Sequence, residues 1–262
     1  MPRAAWILLL LCTSCPLCAQ AQSKQQQLPS QTQAQDGGSS QMLQSIVVPN
    51  LPNAPFTVTL HTEWVRGSSD TGKVSVVNQR RIARDSSGRI FQERWYLVPK
   101  DGEMKSHMTA IQISDLENHT LYTCMMDGRH VCDLRDYFPP ANAALKPEPP
   151  FIGPMPDYSG FMNRENLGTR AIAGVATAGV RETITYNPGV FGNDQKVTVS
   201  REYWYSSQFG FNLLSMRSDP RFGSQTFTVT SLDPSEPDPQ LFELPQGFKV
   251  VDHRSSVTPA SN

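Results

Sequence analysis

Beyond residue 21 the chain has only two cysteines, Cys124 and Cys132, of the five it contains. That scarcity excludes a thiolate-rich metal domain or a multiply stapled scaffold. Long apolar runs are also missing after the N-terminus, so no transmembrane helix of about 20 apolar residues is expected in the mature chain. Charge is balanced, with 23 basic and 24 acidic residues and a net −1. No global field attracts polyanions, which argues against a nucleic-acid partner. Gly-x-Ser-x-Gly, His-Glu-x-x-His and similar catalytic signatures do not occur. The glycines at 168, 174 and 179 are not followed by Gly-Lys-Ser/Thr, so a phosphate loop is not indicated. Nothing calls for a cofactor or a metal.

What is present begins with an address. Met1-Pro2-Arg3 supplies a positive charge, Ala4–Leu11 an apolar core, and Ala19-Gln20-Ala21 a small-x-small exit. This is the pattern of a secretory signal peptide over residues 1–21. The expected location is therefore exported, periplasmic or extracellular. Lipid anchoring through Cys12, Cys15 or Cys18 is disfavoured, because Cys15 has Cys12 where a lipobox wants an aliphatic residue and Cys18 follows Pro16-Leu17. Residues 22–46 are rich in Gln and Ser and too poor in aliphatics to offset ordering entropy, so a disordered leader is expected. A tail at 253–262 is assigned the same way.

The remaining segment, 47–252, reads as one antiparallel β domain. Phe56, Val58, Leu60, Thr62 and Trp64 alternate with Thr57, Thr59, His61 and Glu63, the period of a half-buried strand. Further strands are expected over about 74–84, 89–98 and 108–114, then in a cysteine hairpin, with turns at Asp85–Gly88 and Lys100–Gly102. An apolar period of 3.6 is lacking. Seven prolines between 139 and 160 predict a long loop without regular structure, which could act as a flap, as a proline-rich partner-binding segment or simply as a stiff connection. Strands then resume over 166–175 and 180–186, with a turn at 176–179. Both faces of the aromatic strands carry large rings: Tyr203 and Tyr205 against Trp204, and Phe91 and Trp95 against Ile90 and Tyr96. A sheet with one wet face would alternate more cleanly. The sheet is expected to curl over itself or around an apolar ligand. Trp64, Trp95, Tyr203 and Tyr205 are the candidate ligand-binding residues, and no catalytic residue is assigned.

Asp127-Gly128 is a hairpin signal between the two cysteines. An odd loop centred on Gly128 sets Cys124 opposite Cys132, within reach of a disulfide in an oxidising compartment. A two-residue Asp-Gly turn sets Cys124 against Val131 instead. A metal site from Cys124, His130, Cys132 and His119 is the alternative chemistry. The charged residues that share the strands, Glu63, Arg80, Arg81, Arg84, Arg89, Glu93, Arg94, Glu182, Arg201 and Glu202, raise the alternative of a secreted hydrolase using Glu and Arg side chains, although no spacing selects a pair and opposite charges across antiparallel strands are ordinary sheet stabilisation.

Several segments together resemble a group of secreted bacterial proteins of unknown function. They are Trp204-Tyr205-Ser206 with Phe209-Gly210, Arg217-Ser218-Asp219-Pro220-Arg221, the strand Thr226–Thr230, and the closing Asp238-Pro239-x-Leu-Phe-x-Leu-Pro-x-Gly-Phe248. Arg84-Asp85-x-x-Gly88-Arg89 with Glu93, and Ile172-Ala173-Gly174-Val175 before Arg181-Glu182-Thr183, belong to the same pattern. The resemblance runs from about Phe56 to Asp252. More distantly the order of elements is similar to the periplasmic lipoprotein-carrier superfamily of the LolA, LolB and RseB type. That likeness implies a strongly curved antiparallel sheet, an unclosed half-barrel of about 9–11 strands with little helix. It also implies an apolar or lipid-like ligand, with an envelope protein as a further expected partner.

Overall fold

The computed structural model describes residues 46–68, 72–139 and 146–254. The signal peptide and nearly all of the expected leader lie outside these residues. Fourteen strands are formed: β1 (Phe56–Ser68), β2 (Gly72–Arg84), β3 (Ile90–Trp95), β4 (Val98–Pro99), β5 (Met108–Asp115), β6 (Thr120–Met125) and β7 (Val131–Asp136), then β8 (Phe151–Pro154), β9 (Gly160–Ile172), β10 (Val175–Tyr186), β11 (Val197–Ser206), β12 (Phe211–Asp219), β13 (Gly223–Asp233) and β14 (Lys249–Asp252). A single 3₁₀ turn, Pro239–Phe242, interrupts the last connection. The excess over nine to eleven strands comes from β4, β8 and β14, each four residues or fewer. Segments that short carry too few side chains to show a period of two.

All strands belong to one open sheet ordered β14-β7-β6-β5-β3-β2-β1-β13-β12-β11-β10-β9-β8, with β4 also paired to β2. Neighbours are antiparallel apart from β14, which runs parallel to β7. The chain builds one arm outward from β1 to β7, crosses to the far edge at β8, and returns inward until β13 pairs with β1. This path suits a curved sheet. From β7 to β8 there are eleven ladder steps, about 53 Å if flat at about 4.8 Å per strand. The connection from Asp136 to Phe151 has a reach of at most about 54 Å when fully extended. A flat sheet would leave that connection almost no slack, whereas the curved, unclosed half-barrel brings its two ends closer.

Two of the expected segments are corrected. The stretch 139–160 is not wholly irregular, because β8 pairs Phe151–Pro154 with Phe161–Arg164. Proline is tolerated there since β8 is an edge strand, and Pro154 needs no ladder partner for a missing N–H. The turn expected at 176–179 sits instead at Ala173-Gly174, where both residues have positive φ, 48° and 80°, as a two-residue hairpin turn requires. Gly179 is inside β10 because the Trp204 ring lies on it. A Cβ there would stand 2.7 Å from that ring. Near the ends of the described residues, Ile46 is buried in the core and His253 donates its backbone N–H to the Leu134 carbonyl.

Burial follows the alternation on β1. Phe56, Val58, Leu60, Thr62 and Trp64 are buried, and their neighbours are partly exposed. Phe56, Val58, Leu60 and Trp64 join Ile82, Phe211, Leu213, Phe227 and Val229 in the larger core. On the opposite face of β2, Ala83 joins Phe91, Ile111, Ile113 and the two cysteines in a smaller core, closed by Phe242 with Leu241, Leu244 and Phe248 of the C-terminal clip. Asp238 caps the clip's 3₁₀ turn by accepting from Gln240 N, with Pro239 at the first position, the arrangement these residue types favour. The cysteines form the disulfide Cys124–Cys132, each directly opposite the other. The odd loop, with Gly128 at φ 88°, is therefore the register adopted.

The β12–β13 hairpin provides a sharp test of this packing. Gly223 has φ 88°, and a Cβ would stand 2.1 Å from the Val65 carbonyl oxygen. Gly223→Ala is expected to lower stability by about 3 kcal/mol or more, from a strained φ plus overpacking against backbone. Urea unfolding measures it, and a midpoint within error of wild type would refute this reading of the hairpin.

Candidate ligand-binding face

Tracing the ladders across both arms assigns side chains to faces. One cross-strand row runs Asn78, Thr62, Phe227, Ser215, Tyr203 and Val180. The next runs Val76, Trp64, Gln225, Arg217, Arg201, Glu182, Arg164 and Phe151. Trp64 and Tyr203 therefore share a face, at a separation of about 14 Å set by three strand spacings. Tyr205 lies past a register shift in the β11–β12 ladder and pairs with Asn212, so the row of Tyr203 does not carry on to it. Trp95 does not share the Trp64 face: it has the parity of Phe91, which belongs to the core beneath the clip, and its indole N–H donates to Glu93 Oε2 at 3.0 Å. The ladders put Trp64 and Tyr203 on one face and Trp95 behind it.

Each is fixed by its neighbours. Trp64 donates its indole N–H to the Phe222 carbonyl at 2.9 Å, and the Arg66 guanidinium lies 4.2 Å over its ring. Tyr203 is 1% exposed, and burial pushes its hydroxyl up to about 12. That hydroxyl donates to the Lys146 carbonyl at 3.4 Å. Glu148 meets Arg164 at 2.7 Å, and Arg164 also meets Glu182 at 2.7 Å. Residues Lys146–Glu148 belong to the connection between the arms, and these contacts seat them against β11 and β9 beside Tyr203 and Arg164. In the row of Arg164, burial pushes the Arg201 guanidinium down, against the opposing pull of Glu182.

The face is more polar than the sequence indicated. Arg80, Arg84 and Arg94 are 1%, 0% and 5% exposed. Arg84 donates to three backbone carbonyls, Ala54, Pro49 and Phe209, each at 2.9 Å. Its ring neighbour is Phe56, 4.7 Å away. It ties the N-terminal approach and the β11–β12 turn to β2. Arg80 and Arg94 are arranged differently, around side-chain carboxamides. Sequence reasoning placed all three among ordinary cross-strand charges. Only the parity they share with Leu60 and Ile82 would have marked them as buried.

The glutamates are engaged in ion pairs rather than converging. Glu63 meets Lys100 at 2.9 Å, Glu93 meets Arg81 at 2.9 Å and Glu202 meets Arg181 at 2.9 Å. Such pairs are ordinary cross-strand stabilisation. The alternative metal set is also broken up, since both sulfurs are in the disulfide and the His130 ring packs edge-on against Phe248. Among the described residues no helix is long and apolar enough to cross a membrane.

No family model and no curated protein matches the chain. Solved structures with similar folds include an uncharacterized conserved protein from Thermus thermophilus, at 10% identity and TM-score 0.39, covering 78% of this chain and 92% of that one. MucB is similar at 14% identity and TM-score 0.36, covering 74% of this chain and 58% of MucB. The Mycobacterium tuberculosis lipoprotein LppX is similar at 12% identity and TM-score 0.22, covering 66% of this chain and 83% of LppX.

Proposed function

We propose that the chain is an exported binding protein that holds an apolar or lipid-like ligand against the Trp64 face, without catalysing a reaction on it. The observation that supports this reading is the inequality of the two faces. One side of the β2–β3–β5–β6–β7 arm is closed by the clip and the disulfide. The other side spreads Trp64, Leu60, Phe227 and Tyr203 over both arms of an unclosed sheet, with Lys146 and Glu148 seated beside Tyr203 and Arg164. Wide concave surfaces lined mostly by apolar side chains, with a few placed polar groups, are what small apolar ligands need. The disulfide fits an oxidising compartment, in keeping with export.

The test is direct. Organic extraction of the purified protein is expected to release a lipid-like molecule, and the emptied protein is expected to bind the uncharged probe Nile red saturably with a blue shift. An extract without lipid together with no saturable response would overturn the reading.

A further inference from the structure

A group of exposed apolar side chains gathers at one end of the β8–β13 arm. The β8–β9 hairpin tip carries Tyr158, 81% exposed, and the β10–β11 loop carries Val190 and Phe191, both exposed. Ile152 and Phe161 continue the patch along the sheet edge, with Ile152 72% exposed. Ile152 lies two residues from Pro154, which pairs with Phe161, so the two side chains share a face as diagonal neighbours. Single exposed apolar residues are ordinary on a protein surface, whereas a contiguous group marks an interaction site.

The two tips are tied together and hold these side chains outward. Tyr158 has φ 56°, a left-handed backbone that a bulky residue rarely adopts. The turn enforces it: the Tyr158 amide donates to the Met155 carbonyl at 2.9 Å, and Asp157 Oδ1 accepts from the Ser159 amide at 3.0 Å and its hydroxyl at 2.7 Å. Asn187, at the start of the neighbouring loop, donates its amide to the Ser159 carbonyl at 2.9 Å and its Nδ2 to the Tyr158 carbonyl at 3.1 Å. Within that loop the amides of Gly189, Val190 and Gly192 donate to the carbonyls of Asn193, Asn187 and Gly189, and the Phe191 amide donates to Asn193 Oδ1 at 2.8 Å. Four consecutive amides at the tip are thus satisfied inside the loop.

This bonding decides which partner suits the patch. A protein partner that adds a strand takes its affinity from main-chain hydrogen bonds, and the amides of 189–192 are already used. In lipid, by contrast, backbone groups must be satisfied internally. Aromatic side chains favour the membrane interface, where an apolar ring and a wet hydroxyl are both accommodated. Charges at this end are nearly balanced. Arg221 meets Asp219 at 2.7 Å with its guanidinium 3.8 Å over the Phe191 ring, and Lys196, Asp157 and Asp194 are exposed. Attraction to a surface is therefore apolar rather than coulombic. The patch also adjoins the Trp64 face, because Phe222, next to Arg221, accepts the Trp64 indole N–H at its carbonyl.

We propose that the β8–β9 tip and the β10–β11 loop seat the protein on a lipid bilayer surface, with Tyr158, Val190, Phe191, Ile152 and Phe161 entering the interface. The inference goes beyond the ligand reading of the Trp64 face and stands whether or not that face is occupied.

Purified protein is mixed with phosphatidylcholine vesicles and separated by flotation. Wild type is expected to float with the vesicles, equally at low and high salt. Tyr158→Ser/Phe191→Ser is expected to weaken partition about tenfold or more, the worth of withdrawing two large apolar side chains from the interface. Tyr158→Phe/Phe191→Tyr is expected to keep it. Phe138→Ser removes an exposed ring beyond β7, at the opposite end of the sheet, and is expected to change nothing. Near-ultraviolet circular dichroism reports the fold of each variant, and Nile red binding without vesicles reports the Trp64 face separately. Wild type that does not float, a serine variant that floats as well as wild type, or flotation that needs anionic lipid would each overturn the proposal. Self-association through the tips without flotation would overturn it too, and would assign the patch to a second copy of the chain.

Discussion

Replacing Arg84 with methionine is expected to destabilise the protein by about 4 kcal/mol, the order seen when a buried hydrogen-bonded charge network is broken. The guanidinium is 0% exposed and serves the carbonyls of Pro49, Ala54 and Phe209. Methionine fills much of the volume but leaves three acceptors without their donor, each worth about 1–3 kcal/mol when buried. Burial pushes Arg84 down to about 10, still well above neutrality, so the group that makes these bonds at pH 7 is charged. Arg84→Lys tests the geometry. A single ammonium cannot span three carbonyls arranged around a planar fork, so lysine is expected to lose nearly as much as methionine. Thermal unfolding reads both as a fall in Tm of roughly 8–16 °C at about 2–4 °C per kcal/mol for a domain of this size. A lysine variant as stable as wild type would show that the clamp is not what Arg84 contributes.

Removing the disulfide is the second large effect. Cys124→Ala/Cys132→Ala is expected to lower stability by about 2–4 kcal/mol through the unfolded-state loop that the bond closes, eight residues in sequence separation. The consequence should be local before it is global. Both cysteines are fully buried beneath Phe242, and Lys249 of β14 donates to the His130 carbonyl at the end of the same hairpin. Loosening the hairpin therefore loosens the clip. Hydrogen exchange should rise first at Val250 and Val251 of β14 and at Tyr122 and Leu134 of the hairpin, and thermal unfolding of wild type should shift down on adding reductant. Superimposable unfolding curves with and without reductant would contradict this.

The comparison of sequence with structure turns on which signals are local. Strand β1 was readable because five side chains repeat with period two, and the cysteine hairpin was readable from Asp127-Gly128, although its two possible registers were separated only by the ladder that pairs Cys124 with Cys132. The clip was readable as well, since Asp238-Pro239 starts a turn wherever it occurs. The Ala173-Gly174 turn was misplaced because Gly179 looks like a turn glycine until the Trp204 ring is seen to occupy the space its side chain would need. Nothing nearby in sequence announces a ring 25 positions away.

The site shows the same division. That Trp64 and Tyr203 share a face depends on three intervening registers, two set by hairpins and one by the long-range pairing of β1 with β13. Trp95 parts from them through its parity on β3, which a single strand cannot relate to β1.

By itself, then, the sequence determined the strand alternation, the disulfide partner and the closing clip, because each is decided over a few residues by steric and hydrogen-bonding rules. Only the tertiary structure decided that the sheet joins two arms at β1 and β13, that Lys146 and Glu148 sit beside Tyr203 and Arg164, and that Arg84 clamps the carbonyls of Pro49, Ala54 and Phe209. Those outcomes depend on long-range register, and a shift of one residue in any ladder would send the same side chains to the other face.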